Sequence, residues 1–482
     1  MKNRNSLTVI QLNDSHAYFD PHQEMFWQGG QAVYRPAGGY ARVAALVKQI
    51  RAANQERVLF CDCGDTLHGT YPVLKTQGQA LIPVLNSLGL DAMTAHWEFA
   101  YGPATFKQRA AELNYPMLAI NVYDQATKER LFPPYSVKEI GGLRIGIVGI
   151  ASNIVDKTMP PSFSEGLYFT LGREELPLII DVLRTQEKAD LIVLISHLGF
   201  PQDMKLLSEM QGIDVCLSGH THNRLAKAVL QGKTLVIQSG CHGSFLGRLV
   251  LEVEGGRIVD YRHQLIEVAA NTNPDPAVDD LIRDALAPYQ AELSTVVGET
   301  ATALNRATML EATMDNFLLQ ALLESTGAQL AFSNGWRFGA PIIPGEVTVN
   351  DLYNMIPMNP PISTVELTGE EIVVMLEENL DRTFARDPYD QMGGYVKRSL
   401  GFNATIKIEN PPGQRVQQVF VGDEQLQPGI YYSTAFVTEQ GVAQKYGRNR
   451  QHHTERIIEA LRTYLARHRP LRAEIRGTFV AV

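Results

Sequence analysis

Four apolar runs, Leu7–Leu12, Val58–Cys61, Leu191–Ile195 and Val215–Leu217, each end at a turn that carries Asp or His. Those turns hold Asn13-Asp14-Ser15-His16, Gly64-Asp65, His197, and Gly219-His220-Thr221-His222. Short apolar runs closed by turn residues read as buried strands. Strands that end in Asp or His bring oxygen and imidazole nitrogen donors together at one edge of a sheet. That is a site for divalent metals, with enough ligands for two ions. A further segment, Ala92–Gly102, carries His96 and Glu98 between the second and third runs.

The intervening sequence keeps a strand–helix rhythm, which is the pattern of an α/β domain. Residues 38–53 show helical apolar spacing after Gly38-Gly39. Further strands are expected near 116–121, 143–149 and 234–238, and helices near 104–113, 173–186 and 202–210. Residues 245–266 read as a closing hairpin. Residues 18–37 are rich in aromatics and read as an irregular surface loop. At 482 residues the chain is too long for one core. Turn residues crowd Asn271–Pro276, and Ala277–Leu293 reads as a charged connecting helix. The predicted organisation is a first domain over 1–268, a connector over 269–294 and a second α/β domain over 295–482.

A formal charge of −9 argues against nucleic acid as a partner. No apolar stretch is long enough to span a membrane. Met1–Ser6 runs straight into Leu7–Leu12, which is too short for a signal-peptide core, and no small-residue cleavage site follows. The expectation is a cytoplasmic protein, or a periplasmic one if a leader has been removed. Cys61, Cys63, Cys216 and Cys241 read as buried thiols, because alternation along a strand prevents Cys61 and Cys63 from bridging. Oligomeric state leaves no mark in the sequence.

The ordered motifs Asn-Asp-x-His (13–16), Gly-Gly-Tyr-Ala-Arg (38–42), Gly-Asp (64–65), His-x-Glu-Phe (96–99), Ser-His-Leu-Gly (196–199) and Gly-His-Thr-His (219–222) resemble the calcineurin-like metallophosphoesterases. The second half resembles the 5′-nucleotidase C-terminal domain. It does so through Asn334-Gly335-Trp336-Arg337, Pro344-Gly345-Glu346-Val347-Thr348, Leu367-Thr368-Gly369 and Gly393-Gly394-Tyr395. The resemblance implies a β-sandwich core flanked by helices, followed by an α/β domain that closes over the metals. It also implies two divalent ions: manganese, zinc or iron. Asp14, His16 and His222 would hold the first ion, His197 and His220 the second, and Asp65 would bridge them. His96 stands where the family has Asn; imidazole can replace the amide oxygen and binds transition metals well. Asp65, His96 and Glu98 make up the expected catalytic set, with Glu98 supporting the ligand shell. The implied reaction is hydrolysis of a small phosphate ester, a 5′-nucleotide above all, by metal-activated water.

Two positions depart from the family. Its leaving-group His is Trp97 here, and the Asp partner of that His is Ala100. An indole cannot transfer a proton at neutral pH. His68 and His242, near the motif turns, are candidate replacements. The His-Trp-Glu-Phe variant and Trp336-Arg337-Phe338-Gly339 are similar to the thiosulfohydrolase subgroup, which implies sulfur-ester hydrolysis as an alternative. A degenerate binding protein without turnover is a third reading. In the second domain Arg337 would grip an anion through its planar fork, with Asn334 as partner. Tyr395 and Tyr446 match the family's base-stacking positions, with ordinary aromatic packing as the alternative for both.

Overall fold

The computed structural model describes residues 4–482. The first three residues of the N-terminal segment considered above lie outside that range. By internal contact the chain forms two units. One holds the stretch up to Glu24 together with Arg35–Pro288, and the other holds Met25–Tyr34 with Tyr289–Val482.

The first unit is a sandwich of two sheets. One sheet runs in the order Arg257–Glu267, Phe245–Glu254, Arg4–Leu12, Val58–Asp62, Ala92–Met93. The other runs Val229–Gln231, Thr234–Ile237, Val215–Ser218, Leu191–Ser196, Leu143–Ile150, Tyr135–Ile140. The first is antiparallel from Arg257–Glu267 to Arg4–Leu12 and parallel from there to Ala92–Met93; the second is parallel at its centre with an antiparallel strand at each margin. Period-two alternation explains why the runs are apolar throughout. Leu7, Val9, Leu59 and Cys61 face the second sheet and pack on Ile147, Val193, Ile195 and Leu217. Ile10, Leu12, Val58 and Phe60 point the other way, onto a helical layer that includes Tyr40–Ala53. The expected helix-flanked sandwich is therefore present.

Three local expectations change. Residues 116–121 do not form a regular strand: Met117 makes one isolated bridge to Met93, and Ile120 donates to the Gly149 carbonyl. Pro116 has no N–H to give, and the N–H groups of Leu118, Ala119 and Ile120 go to the Met93, Pro133 and Gly149 carbonyls, three different partners, so no regular ladder forms. Residues 18–37 are not an irregular loop, because His22–Gln28 and Gln31–Ala37 form a hairpin. Its turn is Gly29-Gly30, both at positive φ, which is a two-residue hairpin signal present in the sequence. The helix expected over 277–293 is two helices, Pro276–Leu286 and Gln290–Leu293, interrupted near Pro288. The first of them buries Val278 and Ile282 in the core of the first unit.

The second unit is also α/β. Its main sheet runs Tyr395–Leu400, Leu330–Gly335, Tyr431–Phe436, Pro361–Thr368, Arg448–Arg456. Helix Gly369–Thr383 starts at a capping box in which the Thr368 hydroxyl accepts from the Glu371 N–H and the Glu371 carboxylate takes the Thr368 N–H. Its Ile372, Met375 and Leu376 join Phe332, Val365 and Phe436 in one core.

Candidate metal centre

The loops after the parallel strands of the first unit carry the donors. Asp14 and His16 follow Arg4–Leu12, Asp65 follows Val58–Asp62, and His96 follows Ala92–Met93. His197 follows Leu191–Ser196, and His220 and His222 follow Val215–Ser218. The site lies where parallel α/β sheets place ligands, outside the carboxyl ends of the strands.

Two donor groups emerge, Asp65–His96–His197–His220 and Asp14–His16–Asp65–His222. Within each group the donor atoms lie within 4.8 Å of one another, and Asp65 belongs to both. All seven sequence-predicted ligands are thus brought together. Asp65 Oδ1 is 3.0 Å from His96 Nδ1, and its Oδ2 is 3.2 Å from His197 Nε2 and 3.9 Å from His16 Nε2. Asp14 Oδ1 is 3.3 Å from His222 Nε2.

The backbone is strained at these positions. Asp14, His16, Asp65, His220 and His222 all hold positive φ, between 48° and 69°. Non-glycine residues seldom adopt that region, and such strain clusters at functional sites. Gly64 allows the close approach beneath them: a Cβ there would lie 2.9 Å from the Thr94 carbonyl oxygen and 3.1 Å from His197 Nδ1.

The electrostatics favour a cation. Burial opposes ionisation of Asp65, yet His96 and His197 hold its carboxyl well below the usual range. Burial also opposes the charge on Asp14, while His222 and His197 lower its pKa. Burial works against a charged His197, but Asp65 and Asp14 raise it to about 10. Without metal, a proton on His197 balances the carboxylates; a divalent ion would take over that task and release the proton. His197 Nδ1 donates to the Cys63 carbonyl, which turns Nε2 toward the carboxylates as a ligand atom. His96 Nε2 is buried without a hydrogen-bond partner. His16 Nε2 and His222 Nε2 face each other at 3.2 Å, so two lone pairs meet unless a proton or cation lies between them. The donor set fits two divalent ions.

Glu98 lies beneath the ligand loops. Its carboxylate is fully buried and accepts backbone N–H groups from Thr66 at 2.6 Å, His96 at 2.7 Å, Leu67 at 3.2 Å and Asp65 at 3.4 Å. Its oxygens are committed to these amides, so Glu98 ties the Asp65 loop to the His96 loop. Asp62 went unnoticed in the sequence. It accepts from the Gly64 N–H and the Thr66 hydroxyl, and burial pushes its carboxyl up to about 8.

Trp97 donates its backbone N–H to Asp65 Oδ1 at 2.9 Å. Its ring stacks on His68 at 4.8 Å and meets Phe163 edge-on. Burial pushes the His68 imidazole down to about 4. His242 sits on the other side, against His16 and His222, in a third group with His22 and Glu24.

In the second unit Arg337 Nη2 donates to the Gly394 carbonyl, and its guanidinium lies 5.2 Å from the Tyr395 ring. Asn334 Nδ2 and Trp336 Nε1 both donate to Gln440 Oε1. These four residues gather at the end of the strand Leu330–Gly335. Tyr446 is 7% exposed and belongs to the apolar core, which leaves little ring face for a base to stack on.

The donor set suits a metal-dependent hydrolase, and the families and relatives that the chain matches act on phosphate esters. Residues 7–224 match the Calcineurin-like phosphoesterase family and residues 294–438 the 5′-nucleotidase, C-terminal domain family. The 5′-nucleotidase of Vibrio cholerae is 23% identical over 88% of this chain and 83% of its own length. The trifunctional nucleotide phosphoesterase YfkN of Bacillus subtilis is 24% identical over 86% of the chain, which spans only 30% of that larger protein. The structure of the Thermus thermophilus sulfate thiohydrolase SoxB superposes with a TM-score of 0.92 at 27% identity, covering 99% of this chain and 96% of that one. The chain thus carries a calcineurin-like phosphoesterase domain followed by a 5′-nucleotidase C-terminal domain.

The comparisons correct one expectation. Relatives such as UshA and the Vibrio 5′-nucleotidases are periplasmic or secreted enzymes, so a cytoplasmic location is not supported. No helix among the described residues is long and apolar enough to cross a membrane.

Proposed function

We propose that the chain is a dinuclear phosphomonoesterase acting on 5′-nucleotides or similar small esters, with a preference for good leaving groups. The observation that carries this reading is the membership of Asp65 in both donor groups. Two divalent ions held there would supply an acidified water and stabilise the charge on the attacking and leaving oxygens. Manganese, zinc or iron suits five imidazoles better than magnesium does. The protein's part is to hold donors still. Asp65 spans both groups, the Cys63 carbonyl fixes the His197 ring, and Glu98 locks two loops in register. Trp97 and Phe163 place apolar surface beside His96 where the family has a proton donor. In the second unit Arg337 and Asn334 serve as the grip for an anionic group.

Sulfur-ester hydrolysis is the second reading. Trp97 and the likeness to SoxB favour it. Sulfonates and phosphates are both tetrahedral oxyanions, so the metal centre alone suits either. The test uses manganese-loaded full-length protein against an aryl phosphate, AMP and an S-sulfonated cysteine peptide. Phosphate release that needs the metal supports the first reading. Turnover of the peptide alone establishes the second, and no turnover of any substrate overturns both in favour of a binding protein.

A further inference from the structure

Beside the dinuclear centre lies a cluster that it does not use. His22, Glu24 and His242 each present a donor atom, and the three atoms lie within 4.8 Å of one another. None of them belongs to either of the groups described above. Two imidazoles and one carboxylate form a familiar donor set for zinc.

The surrounding structure is built to hold this cluster. His22 and Glu24 are two apart on the strand His22–Gln28, so they share a face. His242 comes from the loop after Thr234–Ile237, where it holds a left-handed φ of 58°. Its N–H donates to the Asp14 carbonyl at 2.7 Å, which fixes the loop against the ligand turn. Gly38 leaves room for the His22 ring, since a Cβ there would come within 2.7 Å of His22 Cε1.

The outer partners match those of a metal site. His22 Nδ1 lies 3.2 Å from the Asp20 carbonyl, and its Nε2 is 3.1 Å from the Ser244 hydroxyl. Ligating histidines commonly donate one ring N–H to a carbonyl and keep the other nitrogen for the ion. Glu24 Oε1 accepts from Arg224 Nη2 at 2.5 Å, and Oε2 lies 3.7 Å from His242 Nδ1. One carboxylate oxygen is thus held from outside while the other faces the cluster.

We infer that His22, Glu24 and His242 form a third divalent-metal site, with zinc as the fitting ion. It tethers the His242 loop to the strand His22–Gln28 behind His16 and His222. The Arg224 charge beside Glu24 weakens it, so it fills after the dinuclear centre.

Zinc itself is the probe. Full-length protein is equilibrated with a several-fold excess of zinc chloride, passed through a desalting column and analysed for zinc per chain. Wild type should retain three equivalents. Glu24→Gln and His22→Gln, each checked for fold by circular dichroism, should retain two. Wild type with two would overturn the third site and leave the dinuclear centre standing. Three in wild type and in both variants would place the extra ion elsewhere and also overturn it. Fewer than two in wild type would remove this site and the dinuclear reading together. Zinc-edge anomalous scattering from wild-type crystals needs no variant. A peak bonded to His22, Glu24 and His242 is expected, and its absence would be decisive against the proposal.

Discussion

Trp97 is the residue that sets this chain apart. Its indole stacks on His68 and cannot hand a proton to a departing oxygen. Leaving groups that need no proton should therefore react faster. The expected result is a kcat/KM for an aryl phosphate at least a hundredfold above that for AMP, in line with the usual worth of an acid catalyst of about 10²–10⁴. The pair Trp97→His with Ala100→Asp should narrow that ratio. Equal rates for both substrates in wild type would show that another group supplies the proton. Glu98 offers a second test. In Glu98→Gln an amide nitrogen would confront N–H groups that now find a carboxylate oxygen. Manganese retained after dialysis should fall by about tenfold in apparent affinity, the size expected of an outer-shell change. Unchanged uptake would mean that Glu98 does not position the ligands. The clustering of the donors was legible, because Asp and His at strand ends are hard to explain by capping or packing. The strain at five of them was not, since φ leaves no trace in residue type. Nor was the commitment of Glu98 to backbone amides, which depends on two loops distant in sequence.

At the level of elements, the apolar runs were read correctly because each is buried on both faces. The hairpin at 22–28 and 31–37 was missed, although Gly29-Gly30 marked its turn, because exposed aromatics there hide any alternation. Strand Tyr395–Leu400 carries a different surprise. Lys397 is 6% exposed and donates to the carbonyls of Gln440 and Gly441 at 2.6 and 2.7 Å. Burial pushes its ammonium down to about 7 from an ordinary 10.5. Between those values the unfolded chain binds the extra proton, so this group adds stability as pH rises through the window. Below about pH 7 the folded protein must bury a charge and that gain is absent. Relative to Lys397→Met, wild type should therefore gain in melting temperature on going from pH 6 to pH 9. A difference that stays constant with pH would contradict the depressed value.

For the whole molecule, the order of motifs along the chain made the two-part architecture readable. The division by contact is less simple than a single cut, because Met25–Tyr34 counts with the second unit. No sequence pattern signals such an excursion, since it depends on contacts between segments far apart in the chain. The central claim is that two divalent ions, joined through Asp65, make this protein a phosphoesterase. It is tested most directly by titrating metal-free full-length protein with manganese while following phosphate release from an aryl phosphate. Activity should be absent without metal, rise with each addition and level off at two equivalents per chain. A plateau at one equivalent, or full activity in the metal-free protein, would contradict it.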